Sequence, residues 1–93
     1  MRVHRTLEMS LSREEFFRFL PAAVGPFRVD GDMVRRTDGI PAWAIRLVPL
    51  ADHCVGSIVV PRHRVDIVLE GCTEAEGEAF MHRFHRAFMR AGG

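Results

Sequence analysis

The sequence predicts a two-layer α+β domain: an antiparallel sheet of about five or six strands with two helices on one face, in the order β-α-β-β-β-β-β-α. Several runs alternate apolar and polar residues with period two, the spacing of a half-buried strand. Two other segments carry apolar residues at helical spacing, and each opens on a capping-box pattern, Ser12 with Glu15 and Thr73 with Glu76. Helices with aromatic stripes must cover something, and the sheet supplies it. With 93 residues there is one domain, 1–93, and no room for a second core.

In chain order, Val3, Leu7, Met9 and Leu11 alternate with His4, Thr6, Glu8 and Ser10, a first strand. Ser12 opens a helix whose apolar arc is Phe16, Phe17, Phe19, Leu20, Ala23 and Val24. Pro21 either stops that helix near Leu20 or kinks it, and Gly25-Pro26 ends the segment. Asp30-Gly31 lies between two short extended runs, a hairpin signal, and a second turn is read at Asp38-Gly39. Pro41 to Leu50 is the next strand, with Trp43, Ile45 and Leu47 on one face. Val55 to Val60 reads as a separate strand, apolar on both faces apart from Gly56 and Ser57. Pro61-Arg62 is then expected to turn the chain before a strand with Val65, Ile67 and Leu69 on one face.

The last helix is the clearest element. Glu74, Glu76 and Glu78 fill its first turns and Arg83, Arg86 and Arg90 its last, complementing the helix dipole. Phe80, Met81, Phe84, Ala87 and Phe88 form its apolar stripe, and Gly77 on that stripe would let the helix sit close to the sheet. This element order resembles TATA-binding-protein-like and helix-grip architecture in reduced form. The resemblance rests on element order alone and implies a fold, not a function.

Composition narrows the function classes. Thirteen basic residues stand against 12 acidic ones, so no net field draws in nucleic acid or an anionic membrane. Lys, Asn, Gln and Tyr are absent while Arg, Ala, Gly and Val abound, the pattern of a GC-rich, bacterial genome, which weakens any argument from arginine richness. No apolar run approaches the ~20 residues of a membrane span, and no apolar stretch follows Met1-Arg2 as in a signal peptide. Two cysteines are too few for a disulfide scaffold, so reduced thiols and a cytoplasmic location are expected.

Each candidate chemistry meets a simpler reading. His82 and His85 share a helix face, but no Cys-x-x-Cys or His-x-x-x-His spacing exists, so no metal and no cofactor are expected. Cys72 precedes a helix start and Cys54 follows His53, yet adjacent strand residues point to opposite faces. Cys54 therefore reads best as a buried small hydrophobe. Glu14-Glu15, Asp30/Asp32 and Glu74/Glu76/Glu78 are accounted for by helix starts and a turn, and Asp66 and Glu70 by cross-strand pairing with Arg64. Arg35-Arg36, Arg62-His63-Arg64 and the arginines of the last helix lack exposed aromatics to make a nucleic-acid surface. Gly92-Gly93 resembles the tail of ubiquitin-like sulfur carriers, but there the pair follows a strand, whereas here it follows a helix.

The leading expectation is a non-catalytic domain acting by association, as a homodimer or on a protein partner. The interface expected is the open sheet face, with Ala44, Val48, Val55, Val59 and Val68. The alternative is a small apolar ligand held between helices and sheet by Phe16, Phe19, Trp43, Phe84 and Phe88. An enzyme ranks last, because no nucleophile, base and orienting group can be placed together.

Overall fold

A computed structural model describes residues 2–36 and 42–92, with side chains as far as residue 89. Its elements are β1 (Arg2–Met9), α1 (Arg13–Val24), β2 (Arg28–Asp30), β3 (Met33–Arg36), β4 (Ala42–Val55), β5 (Ile58–Glu70) and α2 (Glu74–Gly92). The strands form one antiparallel sheet in the order β1-β5-β4-β3-β2, so the first strand lies beside the last. The turn expected at Asp38-Gly39 lies outside the described residues.

The sheet has five strands. The three runs read at 41–50, 55–60 and 63–69 are two long strands, β4 and β5, joined by the two-residue turn Gly56-Ser57. Val55 pairs with Ile58 across it, and Gly56 has φ +60°. Positive φ at the first central residue alone is the type II′ hairpin geometry, and Gly31-Asp32 repeats it between β2 and β3 with φ +64° at Gly31. Pro61 does not turn the chain. It lies inside β5, facing an irregularity in β4 between Leu50 and His53. Pairing with β3 ends at Arg46 and pairing with β1 ends at His63, so both strands have an open side there. A proline without an N–H is tolerated at such an edge.

Both helices start as the capping boxes require. The Glu15 N–H donates to Ser12 Oγ and the Ser12 N–H to Glu15 Oε1, each at 3.1 Å. Thr73 and Glu76 repeat the exchange at 2.8 and 3.2 Å. Pro21 falls in the last turn of α1, where its missing N–H removes one late bond, and the helix runs on to Val24. Gly25, at φ +76°, closes it by donating to the Pro21 carbonyl at 2.9 Å.

The core lies on the predicted face. Trp43, Ile45 and Leu47 of β4 and Val65, Ile67 and Leu69 of β5 are buried beneath the helices. Gly77 faces the sheet, but the approach does not require a glycine: a Cβ there would stand 3.5 Å from Val3 Cγ2 and 3.7 Å from Leu69 Cδ1, ordinary contact distances. Trp43 meets Phe80 of α2 with ring centroids 6.1 Å apart, and Phe16 of α1 stacks on Phe88 of α2 at 5.4 Å. On the edge strand β1, Arg5 occupies an inner-face position opposite Ile67 yet stays exposed. An inward charge on an edge strand discourages further strand pairing there.

The Cα radius of gyration is 13.6 Å, against about 12 Å for a compact domain of this length. The longest dimension is 45 Å. Fourteen residues of β4 at about 3.3 Å each span roughly that distance. Residues 50–62 thus form a two-stranded arm beyond the paired extent of β1 and β3.

Candidate functional site

Among the described residues, five large apolar side chains are exposed, and three of them stand together on the arm. Val55, Ile58 and Val59 at its tip are 57%, 63% and 58% exposed. Every residue from Ala51 to Val59 is exposed. Among them the only formal charge is Asp52. At the base, the His63 ring donates from Nδ1 to the Leu11 carbonyl at 2.9 Å, and Arg62 pairs with Glu8 at 3.0 Å. These two contacts fasten the arm to the end of β1 and its following loop.

The irregularity in β4 sets which way each arm residue faces. Cross-strand partners share a face and alternate along a strand. Val59 therefore falls on the helix side with Val65 and Ile67, opposite Cys54, while Val55 and Ile58 face the open side. Of the five residues expected on the open face, Val59 is thus on the other one. The extra β4 residue between Leu50 and His53 shifts the alternation by one, so that Cys54 rather than His53 accompanies it. Cys54 is exposed, not buried as expected, because it lies in the stretch from Ala51 to Val59 that is exposed throughout.

Ala44, Val48 and Val68 do lie on the open face, half-buried among charged neighbours. Arg64 pairs with Asp66 at 3.2 Å, Thr6 donates to the same carboxylate at 3.1 Å, and Arg2 meets Glu70 at 3.6 Å. A shallow depression of about 300 Å³ above Ala42, Ala44 and Val68 is rimmed by Arg2, Arg35 and Glu70. Over the body of the sheet, this face is covered by ion-paired side chains. The apolar exposure moves outward to the arm.

The expected ligand-pocket residues fill the core instead. Phe16, Trp43, Phe84 and Phe88 are buried, with Phe84 and Phe88 ring centroids 4.7 Å apart, and Phe19 is half-buried at the rim. Trp43 also borders the shallow depression above Ala42, and Phe88 borders an open groove of about 450 Å³ on the helix side at the arm's base. Leu7, Met9, Leu11, Phe88, Met89 and His85 line it. Sequence periodicity places His85 beside Met89 on the last helix but does not bring them to Leu7, Met9 and Leu11, since the groove joins the end of β1 to the far half of α2.

Groups that carry chemistry are dispersed. Among the described residues, no three His, Cys, Asp or Glu side chains are grouped to hold a metal ion. His82 and His85 are exposed, and Cys72 is buried with its Sγ 3.8 Å from where a Gly77 Cβ would stand. No buried polar or charged side chain occurs among the described residues. Arg35, Arg62 and Arg64 are each engaged with a carboxylate rather than aligned as a phosphate-binding stripe. Among the described residues no helix is long and apolar enough to cross a membrane. The Glu76 carboxylate is held below the ordinary glutamate range by hydrogen bonds from Thr73, the backbone N–H first and the hydroxyl second. That is a helix-capping effect.

No family model matches the chain, and neither does any curated protein or solved structure.

Proposed function

We propose that the protein is a non-catalytic association domain whose working element is the β4–β5 arm, and that it associates with a second copy of itself. The observation that carries this reading is the cluster of three large apolar side chains, each more than half exposed, at the tip of a hairpin with no covering element. A two-stranded hairpin is at best marginally stable in water on its own. Contiguous apolar exposure of this kind usually marks an interface. Twofold self-association is the commonest arrangement that covers the same patch on both partners. The body supports the arm without competing for the role, because its open face is laced with ion pairs. Light scattering after size exclusion at micromolar concentration tests the reading. Twice the chain mass is expected; the mass of a single chain overturns it.

A further inference from the structure

Among the described residues, the arm tip and the groove at the arm's base are both apolar and open in a single chain, and one symmetry operation brings them together. Resting on the self-association reading, we infer that two copies exchange arms, each tip seating in the partner's groove between the end of β1 and α2. The helix-facing side of the tip lies on the groove's side of the sheet, while Val55 and Ile58 face the other way. Cys54 and Val59 face the helix side, as do Leu7 and Met9, which pair with Val65 and His63. The groove begins where Met9 meets His63, six residues along β5 from Ser57. That separation is about 20 Å of strand. When two arms lie antiparallel about a twofold axis, each tip reaches the other's base over that same length, so both contacts close together.

The chemistry of the two surfaces agrees. The groove wall is Leu7, Met9, Leu11, Phe88 and Met89, the last of these 74% exposed. The one carboxylate on its border, Glu8, is already paired with Arg62 at 3.0 Å. Neither surface brings a strongly charged cluster that burial would leave unpaired.

The native Cys54 makes the arrangement testable by cross-linking. In the Met89→Cys variant, mild oxidation of the micromolar protein should give a covalent dimer in most of the chains. Peptide mapping should join position 54 of one copy to position 89 of the other, and adding Cys54→Ser should abolish the link. His85→Cys, also exposed and on the groove, replaces the first variant if that one fails to fold. A dimer linked Cys54 to Cys54, already present in the wild type, overturns arm exchange and leaves self-association standing. So does a non-covalent dimer that forms no cross-link. A single-chain mass overturns both. A small apolar molecule retained on the monomer in native mass spectrometry would overturn the exchange and assign the groove to a ligand.

Discussion

Val55 and Ile58 face each other directly across the Gly56-Ser57 turn, and each is more than half exposed. Such a pair would normally be sheltered by a third strand or a helix. Here the nearest strands stop at Arg46 on one side and His63 on the other. The consequence is specific. Ile58→Arg and Val59→Arg should each weaken self-association about tenfold or more, equivalent to at least ~1.4 kcal/mol. Unfolding stability of the separated chain should change by less than about 0.5 kcal/mol. Val68→Thr, on the body's open face, should leave association unchanged. Concentration-series sedimentation with urea melts measures both quantities.

The core should respond in the opposite way. Phe84 is fully buried between Phe88 and the sheet, so Phe84→Ala should cost about 3–5 kcal/mol. For a marginally stable small domain that is a large share of the total. Arg86 is exposed on the other side of α2, and Arg86→Ala should move stability by less than about 0.5 kcal/mol. Urea denaturation of the two variants gives the comparison, and similar losses would contradict the helical phase described above.

Gly77 tolerates a methyl group. Its would-be neighbours lie at 3.5 to 3.8 Å, ordinary contact distances, and it stands in a helix. Gly→Ala in a helix interior is worth up to about 1 kcal/mol. Gly77→Ala should therefore stabilise the domain by a few tenths to about 1 kcal/mol. Gly77→Val should destabilise it, because its branches would press on Val3 and Leu69. Thermal unfolding of both variants tests the sign.

Acid should weaken the start of α2 in a defined direction. Glu76 titrates lower in the folded chain than the ordinary glutamate, through its Thr73 hydrogen bonds. A lowered folded value means a contribution fully present above the unfolded value, about 4.3, and lost as pH falls through the folded one. The stability gap between wild type and Glu76→Gln should therefore shrink below about pH 4. Urea melts at pH 6 and pH 3.5 measure it; a gap that widens in acid would contradict the capping geometry.

Much of this fold was legible because its signals are local. Ser12/Glu15 and Thr73/Glu76 cap as their spacing requires, and the alternation at Trp43, Ile45 and Leu47 names the buried face. The long β4–β5 hairpin was missed although Gly56-Ser57 carries glycine at the first central position of a type II′ turn, because the two residues sit inside a short run, Val55 to Val60, that otherwise passes for one apolar strand. Pro61 added to the error, since a proline inside a strand is acceptable only where one side of that strand is open, which is a tertiary fact. The orientation of Val59 and the exposure of Cys54 depend on the extra residue between Leu50 and His53, and no sequence period reports an irregularity of that kind. The groove of Leu7, Met9, Leu11 and Met89 is likewise a product of chain ends brought together by the pairing of β1 with β5.

The central claim is that the arm joins two copies, and sedimentation velocity of the wild type beside Ile58→Arg tests it most directly. At micromolar concentration the expected result is a wild-type dimer and a monomeric variant with an unchanged circular-dichroism spectrum. A wild-type monomer, or a variant that dimerises as well as the wild type, would contradict it.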